Sequence, residues 1–232
     1  MSEPPAITGP HRGAAPAGPS TAGKMVNFVV FQAVWFICVY GAADARSWIG
    51  PVAAAALLPI NLFFCPRPGA ELRLWAVAGL LGLLLDTALH SSGWISFPAA
   101  ASPGGDAAQA PAGAALRLAP VWIVTLWVAF GSLLNSSLTW LSGRPLLTVL
   151  LSAIGGPLSF WSGTRIGATS VPGGSMGYAG LSIEYAVAVP LLMLASRSLT
   201  GAVHRRAEPD HLDTPIAATP HGQSLEGGDE RQ

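Results

Sequence analysis

The sequence predicts an all-α membrane protein, a bundle of about six transmembrane helices. Three observations predict it. Charged residues make up only 10% of the chain, against about 25% in soluble globular proteins. From Val26 to Ser196 the only acids are Asp44, Glu71, Asp86, Asp106 and Glu184. That same interval divides into six apolar runs close to the roughly 20 residues a spanning helix needs. A soluble helical protein would need a polar shell around those runs, and the composition supplies almost none.

The elements follow in order. Residues 1–25 are rich in Pro, Ala and Gly and lack large apolar side chains, so they cannot bury enough area to offset ordering entropy and read as a disordered tail. The transmembrane domain, residues 26–197, holds runs at Val26–Ala43, Trp48–Phe64, Leu74–Phe97, Leu118–Trp140, Leu146–Gly163 and Gly177–Ser196. The second and fifth are the shortest and contain Pro51, Pro59 and Pro157; Pro is tolerated in a membrane helix when neighbours satisfy the freed carbonyls. The low-complexity stretch Pro98–Arg117 reads as a flexible spacer. Residues 198–232 read as a second disordered tail. The first run follows a Pro-rich lead and ends at no convincing cleavage site, so it reads as a retained helix rather than a signal peptide.

Orientation follows from Lys and Arg near the helix ends. Arg12, Lys24, Arg67, Arg73, Arg144, Arg197, Arg205 and Arg206 fall on one side, and Arg46, Arg117 and Arg165 on the other. This asymmetry places both termini in the cytoplasm. The eight Trp fit a membrane–water boundary. With zero formal net charge there is no broad basic surface, and nucleic acid is not an expected partner. The expected partners are the lipid bilayer and other membrane subunits.

Cys38 and Cys65 form no paired metal or redox motif and read as reduced, ordinary apolar residues. Gly173-Gly174-Ser175 lacks the lysine of a phosphate loop. No metal site and no cofactor are expected.

Charges inside a bilayer cost about 2.5–3.5 kcal/mol each on insertion scales, so they mark the candidate site. Gly79, Gly82, Asp86, His90 and Gly93 form one narrow stripe on the third run. Such a stripe faces other helices, where small residues allow close approach. Asp86 and His90 lie one turn apart, either as an acid/base or proton-relay pair or as a structural clamp. Counting 1.5 Å per residue from the run ends brings Asp86, His90 and Glu184 to overlapping depths in the outer half of the membrane. Arg165, just past the fifth run, is placed to reach down to them. Asn27, Gln32, Asn61 and Asn135 also lie in apolar runs and are expected to cross-link helices. Gly177, Gly180 and Glu184 repeat the spacing of Gly79, Gly82 and Asp86, as a three-plus-three inverted repeat would require.

Four stretches carry a resemblance: NFVVFQAVWFICVYGA, GLLGLLLDTAL, PVWIVTLWVAFGSLLNSSLTWLSGRPLL and GGPLSFWSGTRIGA. Together they resemble an uncharacterised family of small bacterial multi-spanning inner-membrane proteins, a domain of unknown function, over about Asn27 to Ala195. The resemblance implies a bacterial inner membrane and six helices, and no activity, cofactor or catalytic residue. Three functions stay open: an accessory or scaffold protein, a small-solute or ion transporter using Asp86, His90 and Glu184, and an intramembrane enzyme acting on a lipid or isoprenoid. A filled centre would mark the scaffold, a mid-depth cavity or half-helices the transporter, and a lateral apolar cleft leading to the acids the enzyme.

Overall fold

The computed structural model describes residues 20–98 and 116–206. The tail to residue 19, residues 99–115 of the spacer and the tail from residue 207 lie outside the described residues. In chain order the helices are α1 (Thr21–Ala43), α2 (Ile49–Leu57), α3 (Ile60–Phe63), α4 (Pro68–Ser91), α5 (Val121–Leu134), α6 (Pro145–Ile166) and α7 (Gly174–Arg206), with a 3-10 turn at Thr139–Leu141. Among the described residues the only β pairing is an isolated antiparallel bridge, Ser96 with Ser170.

Four helices, α1, α4, α6 and α7, are long and apolar enough to cross a membrane. The other two apolar runs are shorter as helices. Pro59 has no N–H to donate, and the second run breaks there into α2 and α3. α5 has 14 residues, about 21 Å at 1.5 Å per residue, against about 30 Å of hydrocarbon. It stops at Asn135-Ser136-Ser137, where the Asn135 and Ser137 side chains bond to Glu71 of α4 and to Lys24 and Asn27 of α1.

Local chemistry moves the ends of the longer helices. α1 begins before Val26 because the Ser20 hydroxyl accepts from the Gly23 N–H at 3.1 Å. α4 and α6 begin at Pro68 and Pro145, prolines preset for the first helical position. α4 also ends at Ser91 rather than at Phe97. Gly93 takes a left-handed φ of 79°, and the chain turns so that Ile95 and Phe97 fold back into the core. Gly167 ends α6 in the same left-handed region, and α7 continues beyond Ser196 to Arg206.

Consecutive helices pack as hairpins: α1 with α2, α4 with α5, and α6 with α7. α1 also packs on α5, and α7 on α4. A side chain at Gly50 would overlap Cys38, so this glycine sets the close α1–α2 crossing. α1 and α6 touch only sparsely. Apolar side chains including Phe28, Leu80, Leu84, Ile154, Leu158 and Val187 point outward on the four long helices. An apolar belt of that extent is a liability in water and matches lipid.

Candidate functional site

The glycine stripe of α4 receives α5. A Cβ at Gly79 would press on Val128, and one at Gly82 would overlap the Trp127 indole. Trp127 thus sits against the bare backbone, and its Nε1–H donates to Asp86 Oδ2 at 2.6 Å. Asp86 is wholly buried, and among the described residues its Oδ1 has no hydrogen-bond partner. Glu184 on α7 is also buried, and among the described residues neither of its carboxylate oxygens has a hydrogen-bond partner. The two acids lie within electrostatic range of each other. Tyr185 stacks on Trp127 with ring centroids 4.9 Å apart.

His90 is buried on the same helix but does not hydrogen-bond Asp86. Its Nδ1 lies 3.2 Å from the Ile95 carbonyl; a carbonyl only accepts, so Nδ1 carries the proton. The ring meets Phe97 edge-on at 5.0 Å. The Gly93 turn draws His90 to its own loop, which replaces the expected Asp86–His90 pair. Arg165 also departs from expectation. It is exposed on the last turn of α6, and its guanidinium lies 5.9 Å from the Trp161 ring centroid one turn back. It lies on the α1 side of α6 and makes no salt bridge to either acid among the described residues.

On the other side of Trp127 and Tyr185 lies a cleft of about 470 Å³, bounded by α1, α5, α6 and α7. Its wall is aromatic: Phe31, Trp35, Trp122, Phe130 and Phe160 join Trp127 and Tyr185. Gln32, half-buried, and the α6 residues Gly155, Gly156 and Ser159 add its small and polar points. A side chain at Gly156 would overlap the Tyr185 ring, whereas one at Gly155 would meet nothing within 4 Å. One hydrogen bond crosses from α1 to α6, Trp35 Nε1–H to Ser159 Oγ at 3.1 Å. Trp127 is therefore shared, bonded to Asp86 and lining the cleft, and Tyr185 stacks on it as a second part of the cleft wall.

A separate polar bracket closes the end of the bundle where α1 begins. Asn27 donates to the Ser132 carbonyl at 3.0 Å and accepts from Ser137 at 2.8 Å. Asn61 approaches Ser132 Oγ at 3.5 Å. Glu71 accepts from Trp75 Nε1–H at 2.9 Å and from Asn135 at 2.8 Å, and Asn135 in turn accepts from Ser196. The asparagines thus cross-link helices as their positions implied. Glu71 is absent from the residues that sequence reasoning singles out for the site; its place one turn before Trp75 on α4 is the signal that finds it. Trp127 and Tyr185 carry no such signal, since an aromatic residue in an apolar run reads as lipid-facing or core.

No curated protein and no solved structure matches the chain. The family model described as "Protein of unknown function (DUF2878)" matches residues 24–191. This interval holds the glycine–acid stripe, the shared Trp127 and Tyr185, and every wall of the cleft. The chain belongs to that family of unknown function.

Proposed function

We propose that this chain is a polytopic inner-membrane protein that takes a lipid-like apolar molecule from the bilayer into the α1–α6 cleft. The observation that carries the proposal is the cleft itself: aromatic, lateral, and left unfilled where α1 and α6 barely touch. A scaffold would fill that seam with side chains. Rigid aromatic walls suit apolar ligands, and the few polar points fix orientation. A second reading, an intramembrane enzyme acting on the same lipid, is favoured by one observation. Trp127 lines the cleft and donates a hydrogen bond to Asp86, and Tyr185, next to Glu184 on α7, lines the cleft beside it.

Gly155→Phe is the test, because Gly155 lines the cleft and a Cβ added there meets nothing within 4 Å. Native mass spectrometry of protein purified in mild detergent is expected to show one retained lipid per chain. The variant should retain about tenfold less while melting like the wild type. Equal retention sinks the cleft reading. Under the enzyme reading, Glu184→Gln leaves occupancy unchanged and alters the chemical identity of the retained lipid.

The proposal includes six passes with both termini cytoplasmic. α2 with α3, and α5 with its flanking turns, would cross as broken or short segments, which protein neighbours make tolerable. A three-plus-three inverted repeat would place Asp86 and Glu184 at equivalent positions; Gly82 and Gly180 each lie against a Trp ring, Trp127 and Trp94. Single cysteines placed in residues 99–115 should react with an impermeant maleimide added to cells, and cysteines placed after residue 207 should not. Labelling of both from outside rejects the six-pass arrangement and the opposed α4 and α7 that the repeat needs.

A further inference from the structure

The cleft has a charged neighbour. α1 and α6 end at the same side of the bundle, and between their last turns lies a shallow hollow of about 770 Å³. Tyr40, Asp44, Arg46, Ile49 and Arg165 line it. Both hollows lie on one seam. The cleft draws on residues 31–39 of α1 and 148–163 of α6, and the charged hollow on the next turns, up to residues 46 and 166.

The charge there is unbalanced. Arg46 pairs with Asp44 at 3.3 Å, with both side chains well exposed. Arg165 has no carboxylate partner among the described residues and is held over Trp161. Two guanidinium groups therefore face one carboxylate at the end of an apolar cleft. An exposed pair such as Arg46–Asp44 is weak enough for a stronger anion to compete. The guanidinium fork fits two phosphate oxygens at once.

Length points the same way. From Tyr40 in the charged hollow to Phe31 at the far end of the cleft is nine residues of α1, about 14 Å by helical rise. That is close to half of the roughly 30 Å hydrocarbon core, the depth that one leaflet's acyl chain fills.

We infer that the occupant is an anionic phospholipid. Its chain lies against the aromatic wall, and its phosphate is held at the α1–α6 mouth by Arg165, with Arg46 as the second donor. The inference rests on the cleft reading above and adds the headgroup and the residues that select it.

The test uses the full chain in nanodiscs containing equal phosphatidylglycerol and phosphatidylcholine with identical acyl chains. Lipid carried into the gas phase is counted by native mass spectrometry. The wild type is expected to retain phosphatidylglycerol over phosphatidylcholine by about tenfold. Arg165→Gln should reduce the preference to about twofold or less, and Arg165→Lys should restore part of it, since Lys keeps the charge without the fork. Inorganic phosphate at millimolar concentration should not displace the lipid. Equal retention of both lipids by the wild type overturns the inference. So does a preference that survives in both Arg165→Gln and the Arg46→Gln/Arg165→Gln double variant, or displacement by phosphate alone. Gly155→Phe separates the two claims: loss of both lipids upholds the cleft whatever the headgroup result, and full retention removes the cleft reading itself.

Discussion

Gly82→Leu is expected to lower the melting temperature in detergent by about 10 °C or more. A side chain at this position overlaps the Trp127 indole, which is 2% exposed. Trp127 has nowhere to go: Asp86 holds its Nε1–H, and Tyr185 is stacked on its ring. Overpacking of this kind costs about 1–3 kcal/mol. Loss of the Trp127–Asp86 hydrogen bond costs about 0.5–1.5 kcal/mol more. At about 2–4 °C per kcal/mol for a chain of this size, the sum is of order 10 °C. Asp86→Ala should show the hydrogen-bond part alone. Glu184→Gln should melt no lower than the wild type, because among the described residues the Glu184 oxygens have no hydrogen-bond partner to lose and the amide removes a buried acid. Gly155→Ala, with open space around it, serves as the neutral control. A Gly82→Leu protein that melts with the control would show that the α4–α5 contact is not as described.

The second large effect is expected from Glu71→Ala. Its two carboxylate oxygens take the Trp75 indole N–H and the Asn135 amide, and Asn135 accepts from Ser196, so one side chain ties α4, α5 and α7 together. Alanine leaves two donors without an acceptor at a site where Glu71 is 4% exposed. Each buried unsatisfied group costs about 1–3 kcal/mol, while interhelical bonds inside bilayers average about 0.6 kcal/mol. The bracket lies at the end of the bundle, on the first turn of α4, and the loss is expected nearer the larger figure, about 2–5 kcal/mol in all. Glu71→Gln keeps an acceptor for one donor and should lose markedly less. Thermal melts of the two variants side by side test this; equal melting would mean that the network does not hold the three helices.

The apolar runs were legible because hydropathy is a local property. Their ends were less legible: the fifth run was read to Gly163, and α6 continues to Ile166 before the Gly167 cap. The third run was misread past Ser91 because Ile95 and Phe97 are apolar and do bury, but on a turn that Gly93 creates rather than on the helix. Asp86 and Glu184 stood out as rare charges among apolar residues. Their surroundings did not, since Trp127 and Tyr185 become part of the site only when α5 and α7 pack on α4. Arg165 was expected just past the fifth run; it lies on the last turn of α6, with its guanidinium near Trp161 four residues back. The cleft left no sequence signal at all. It arises between α1 and α6, more than a hundred residues apart in the chain, from contacts that are not made.

The most direct measurement of the central claim is site-specific photo-crosslinking in native membranes. One benzophenone amino acid replaces Gly155, which lines the cleft, and another replaces Leu80 on α4, whose side chain is 59% exposed. Mass spectrometry of the crosslinked protein should show a discrete lipid mass at Gly155 and the mixed profile of the bulk bilayer at Leu80. The same bulk profile at both positions would contradict a lipid-binding cleft.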